Sequence, residues 1–176
     1  AGVPQTPYHG DEATIIYMGR DFYYHMQGET DRLHVQPFDA LDGDAALEQH
    51  LRLINGTLPK YTYGAIGYAM GVPIDDLSAP WSWGLGWDWN MENGSVPSGS
   101  VLLLAVRYVS AFFRAWSVLV LFRIGVKVGG RAVAYIATAY YVLNPAILVN
   151  GRRAMMEGPL LFFSLLVILI GLNLLH

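Results

Sequence analysis

"AVAYIATAYYVLNPAILVNG", Ala132 to Gly151, runs for twenty residues without a charge. A second uncharged run, Gly158 to Leu175, begins seven residues later. A helix needs about 17–25 mostly apolar residues to cross the hydrocarbon of a bilayer. Upstream, Val101 to Phe122 has comparable length but carries Arg107 and Arg114. The three segments predict transmembrane helices at roughly 101–122, 132–150 and 156–175. A buried soluble bundle is the alternative, and three such segments in 176 residues speak against it.

The rest of the chain has a different character. Residues 1–100 hold thirteen of the fourteen acids and four of the eleven Lys and Arg, a formal charge of −9. Residues 101–176 sum to +6, with Glu157 as their one acid. The chain therefore divides into an acidic first loop, 1–100, and a transmembrane part, 101–176. Its overall charge of −3 describes neither. Nothing in this pattern asks for nucleic acid. The absence of cysteine excludes disulfides and thiolate metal sites. The chain starts at Ala1 and stops just as an apolar helix ends, so it reads as a fragment of a longer membrane protein.

Counting helices places the candidate residues. The first two helices are linked by "RIGVKVGGR", Arg123 to Arg131, and the next two by "NGRRAMMEG", Asn150 to Gly158. Three basic residues against two make the first link the better cytoplasmic candidate. Residues 1–100 and 151–157 then lie together on the outer side of the membrane.

Within the first loop, apolar residues recur at helical spacing between Gly10 and Gly28, which predicts a helix with Gly28 as its C-cap. Asp11 and Glu12 open it, where acids suit the helix dipole, and Asp11 is a candidate N-cap. Residues 28–44 read as a loop, with Asp42 or Asp44 capping a short helix at about 45–54. An aromatic stretch at about 58–71 is too short to span and fits a re-entrant or surface helix. "APWSWGLGWDWN" places four of the five Trp between Trp81 and Trp89. Such a cluster reads either as an interfacial belt or as a platform for a sugar face.

Several motifs are missing. No G-x-G-x-x-G follows a strand, "GVKVGGR" lacks the ending of a phosphate loop, and there is neither a G-x-S-x-G elbow nor H-E-x-x-H. His9 and Asp11 offer two metal ligands, and a third would come from Glu12, His25 or His34. A divalent metal is therefore left open.

Four stretches in one order carry a resemblance: "YHGDEA" opening an outer-loop helix, "INGTLPKYTYG", "VRYVSAFF" at a helix start, and "NPAILVNGRRAMMEGPLLFF". Together they resemble the N-terminal part of phospholipid carrier-dependent glycosyltransferases, in the superfamily of protein O-mannosyltransferases and lipid A aminoarabinose transferases. The resemblance implies an all-α membrane protein with a partial GT-C-type fold, in which short interfacial helices of an outer loop precede the transmembrane helices. It implies inverting transfer of a sugar from a polyprenyl-phosphate donor to an acceptor hydroxyl on a protein or glycan, at the outer face of a bacterial plasma membrane. Asp11 takes the position of the base, with Glu12 beside it. Arg107 is expected near the lipid phosphate. Arg152, Arg153 and Glu157 are expected to face the same cavity, and Lys60 matches a lysine flanked by prolines in relatives. Aminoarabinose-type members carry an acid just before that lysine, where Leu58 and Pro59 stand here.

The chemistry suits these residue types. An acceptor hydroxyl needs a carboxylate to take its proton as the new bond forms. A departing lipid phosphate gains charge in the transition state, and fixed guanidinium groups lower that barrier. Each residue also has a plainer reading: Asp11 as a cap, Arg152 and Arg153 as headgroup anchors, Arg107 as a snorkelling side chain. Arg114 lies near mid-span and seven residues after Arg107, which predicts that this helix face looks into a polar cavity. The competing functional reading is a non-catalytic membrane scaffold whose acidic outer loop binds partners.

Overall fold

The computed structural model describes residues 2–95 and 100–175, and every regular element among them is helical. They form two compact units, Tyr8–Val106 and Ala1–Pro7 with Arg107–His176. The dividing point lies at Val106, inside a helix, rather than at residue 100. Leu102 and Val106 are buried, and Leu102 lies near Gly67, so the first turns of that helix belong to the loop unit.

The loop unit, Tyr8–Val106, opens with α1 (Gly10–Met18) and α2 (Arg20–Gln27). The sequence predicts one helix here; the chain instead breaks at Gly19. The cause is a close crossing with α4 (Thr57–Ala69): a Cβ on Gly64 would stand 2.3 Å from the Gly19 carbonyl oxygen. Only two glycines allow the backbones this near. α2 ends, as the sequence predicts, on Gly28 in the left-handed region. α3 (Gly43–Ile54) is capped by Asp42, whose side chain accepts from the Ala45 N–H. Tyr17 and Met18 of α1 pack with Leu51 of α3 in the core. At 13 residues, α4 is about 20 Å long, too short to cross a bilayer. The Trp segment is a loop leading into α5 (Trp87–Glu92). Asn90, fully buried, organises that loop by accepting from Ser82 N–H at 2.8 Å and donating to the carbonyls of Ser82 and Gly86.

The second unit is built on α6 (Ser100–Leu143), α7 (Pro145–Asn150) and α8 (Glu157–Leu174). Two stretches are long and apolar enough to cross a membrane: Val101–Leu143, with mean hydropathy 1.6, and Glu157–Leu174, with 2.0. The first is two helical arms meeting at Gly130, whose φ of 78° and ψ of −177° belong to a region that is essentially glycine's own. The arms run antiparallel. A Cβ on Gly125 would meet Ala134, the Phe122 and Tyr135 rings lie 5.2 Å apart, and the Ser117 hydroxyl bonds the Tyr141 hydroxyl. α8 runs parallel to the first arm, with Gly158 against Ser110 and Phe162 against Phe113.

The arm boundaries differ from the sequence expectation. The first arm continues past residue 122, because Arg123 and Lys127 are tolerated on a helix end where long side chains reach water. The returning arm stops at Leu143 rather than near 150. Asn144 precedes a proline, which disfavours helical geometry, and it adopts ψ 117°. Its side chain then caps α7 by accepting from Ala146 and Ile147 N–H.

Candidate active site

The two acids of "GDEA" occupy different environments. The N-cap of α1 is His9, not Asp11: its Nδ1 accepts from the Asp11 N–H at 3.3 Å. Glu12 closes the capping box, its carboxylate accepting from the His9 N–H at 3.0 Å, and it is fully buried. Asp11 occupies the second helical position with its side chain 43% exposed, and its Oδ2 lies 3.5 Å from His9 Nδ1. Glu12 therefore holds the turn, while Asp11 presents a carboxylate to whatever approaches.

The Trp loop surrounds this helix start. The Trp81 ring lies so close over Gly10 that a Cβ there would stand 2.4 Å from it. The Trp81 N–H donates to the Thr14 hydroxyl at 3.1 Å, which ties the loop to α1. Trp83 is 64% exposed with its ring 5.5 Å from His9, and the Trp81 ring lies tilted against both Trp83 and Trp87. Aromatic surface and a carboxylate thus stand side by side. Among the described residues, no three His, Asp or Glu side chains gather as a metal-binding group.

Lys60 is buried, 2% exposed, and its Nζ lies 2.7 Å from Asp21 Oδ2. Arg52 grips the same carboxylate through Nε at 3.1 Å and Nη2 at 2.8 Å. Sequence reasoning passed over Asp21 and Arg52. Their signal was an acid between Tyr17 and Tyr24 on the apolar face of the first helices, which requires a buried cation. Around the triad, burial, then the charge of Asp21, pushes the Tyr61 hydroxyl up from its usual pKa.

The other candidates lie in the second unit. Arg107 is 4% exposed and donates to the carbonyls of Val3 at 3.5 Å and Thr6 at 3.0 Å, so it holds the segment that precedes Tyr8. Arg153 Nη1 donates to Asn150 Oδ1 at 3.5 Å. Arg114 lines two cavities. One, of about 370 Å³, it shares with Glu157, Asn150 and Ser164; the other, of about 270 Å³, it shares with Arg152 and Tyr141. Both cavities are apolar over most of their walls, and Arg107, expected from sequence on the same polar face, lines neither of them. Arg114 Nη1 donates to the Tyr141 hydroxyl at 3.3 Å.

Residues 81–173 match the family model described as dolichyl-phosphate-mannose-protein mannosyltransferase. That stretch is more than half of the chain, and the chain belongs to this family. It is an all-α membrane protein, and the family supports a glycosyltransferase of the mannosyltransferase kind, one that works in general from a lipid-linked sugar donor to a protein or glycan acceptor. No curated protein and no solved structure matches the chain.

Proposed function

We propose that this chain carries part of the active site of an inverting glycosyltransferase that uses a polyprenyl-phosphate sugar donor. The observation that carries the reading is the division of labour between Asp11 and Glu12. A carboxylate held at a capped helix start, yet partly exposed, is what a general base for an incoming hydroxyl requires. The acceptor oxygen attacks the anomeric carbon, its proton passes to the Asp11 carboxylate, and the bond from that carbon to the phosphate oxygen breaks. Polyprenyl phosphate leaves with the electron pair. Glu12 supports Asp11 by fixing the helix start.

Arg152 and Arg153, with Glu157, flank the donor side on the link between α7 and α8. Arg107 positions the segment before Tyr8. Lys60 acts through Asp21, keeping α2, α3 and α4 in register beneath the base.

The test is transfer of radiolabelled mannose from polyprenyl-phosphate mannose to a Ser/Thr-containing peptide or a glycan by the full-length protein. Asp11→Asn should lower turnover by about 10²–10⁴-fold while expression and thermal midpoint stay unchanged. Equal turnover would remove Asp11 from the chemistry. No transfer by the unsubstituted protein from any polyprenyl-phosphate sugar would favour the scaffold reading.

A further inference from the structure

We propose that Arg114 and Arg152 form the seat for the donor's lipid phosphate, with Arg114 as a binding residue supplied by the transmembrane hairpin. This deepens the donor reading above and rests on it. The cavity of about 270 Å³ is bounded by Arg114, Arg152, Tyr141, Val3, Val118 and Leu148, among others, and none of its lining residues carries a carboxylate. Two cations without an acid select an anion. Apolar walls beside them suit the alkyl chain of a lipid.

The position of Arg114 gives this weight. Phe113, its neighbour, is level with Phe162 of the parallel helix α8, which begins at Glu157. Arg114 therefore lies roughly 9 Å along the apolar length of that helix, at 1.5 Å per residue. A charge within a membrane helix is expensive and marks a functional partner. The partners that Arg114 has in the protein are neutral: the Tyr141 hydroxyl at 3.3 Å, and the Tyr141 ring 6.0 Å from its Cζ. Its buried Nε has no hydrogen-bond partner among the described residues. Glu157 lies on the other cavity, and no ion pair among the described residues joins it to Arg114.

The guanidinium is nonetheless held in place. Tyr141 is itself bonded to Ser117, and Ser117 bonds back to the Arg114 carbonyl at 2.6 Å. Gly151 leaves the room: a Cβ there would come within 3.1 Å of Arg114 Nε. Arg107, meanwhile, spends Nη1 on the Val3 and Thr6 carbonyls and so fixes one wall of this cavity. Guanidinium groups pair with phosphate oxygens through charge-assisted hydrogen bonds, and two of them lie on this one cavity.

The experiment measures binding of polyprenyl phosphate, polyprenol and phosphatidylglycerol to the full-length protein in nanodiscs, by native mass spectrometry. The unsubstituted protein should retain polyprenyl phosphate at least tenfold over polyprenol. Arg114→Gln should bring the two to parity, Arg114→Lys should fall between, and Tyr141→Phe should weaken the phosphate lipid about threefold. Lys127→Gln, at the hairpin link, should change nothing. Affinity for polyprenyl phosphate unaltered in Arg114→Gln would overturn the proposal. Equal competition by phosphatidylglycerol would overturn it too, by revealing a general anionic-lipid seat. If Arg114→Gln fails to fold, unaltered affinity in both Arg114→Lys and Tyr141→Phe overturns it. Phosphate selectivity that depends on Arg114, in a protein that transfers no sugar, would keep the seat and sink the enzyme reading. Transfer that survives Arg114→Gln with unaltered donor affinity would do the reverse.

Discussion

Lys60 Nζ lies 2.7 Å from Asp21 Oδ2, and Arg52 holds the same carboxylate from the other side. One buried acid thus joins α2, α3 and α4 through two cations. The triad is asymmetric, and so is the expected response. Asp21→Asn strands two cations in a buried site and should destabilise the fold by ~3–5 kcal/mol. Lys60→Met leaves the bidentate Arg52 pair intact and should be clearly milder. Thermal unfolding of the two variants in detergent checks the order; equal losses would contradict the arrangement.

Glu12 and Asp11 should separate stability from activity. Glu12→Ala removes the carboxylate that accepts from the His9 N–H and should lower stability by about 0.5–2 kcal/mol, as the loss of a helix cap does. Its transfer activity per folded molecule should fall far less than that of Asp11→Asn. Thermal midpoints measured beside turnover on the same preparations give the comparison.

How much of this could be read in the sequence differs from element to element. The two uncharged runs announced membrane helices, because hydropathy is a local property. Asn144–Pro145 was legible as a break in principle, but the long apolar run masked it. The split at Gly19 was not legible, since it depends on Gly64 arriving from forty-five residues away. The capping role of His9 was hidden for another reason: histidine is an uncommon cap, and the neighbouring Asp11 is a common one. The buried state of Lys60 required Asp21, which only the tertiary fold brings to it.

Gly130 is the reversal point of the hairpin, with φ 78° and ψ −177°. An L side chain is strained there by ~1–3 kcal/mol. Gly130→Val should therefore destabilise the contacts between the arms, and Gly125→Leu, which forces a side chain into Ala134, should do so as well. A disulfide between introduced cysteines at Phe122 and Tyr135 reports the pairing, and its yield should drop in both variants.

Tyr17 sets an alkaline limit on the loop unit. Burial, then the charge of Glu48, pushes its hydroxyl from 10.0 up to about 12. An acid whose pKa is higher folded than unfolded keeps its stabilising effect below the unfolded value and loses it as pH rises toward the folded one. Stability should decline between about pH 10 and pH 12 for this reason. Tyr17→Phe should flatten that part of the pH profile, with tyrosinate absorbance as the direct readout of the ionisation.

The proposed transfer requires the base and the guanidinium groups on one side of the membrane. The chain has no cysteine, so a single introduced thiol can be labelled without background. Asp88→Cys at the start of α5, Asn150→Cys at the end of α7 and Lys127→Cys at the hairpin link, each treated in intact cells with an impermeant maleimide, measure this directly. Labelling at 88 and 150 in intact cells, with 127 labelled only after permeabilisation, is the predicted result. Reaction of 88 and 150 from opposite sides would contradict it.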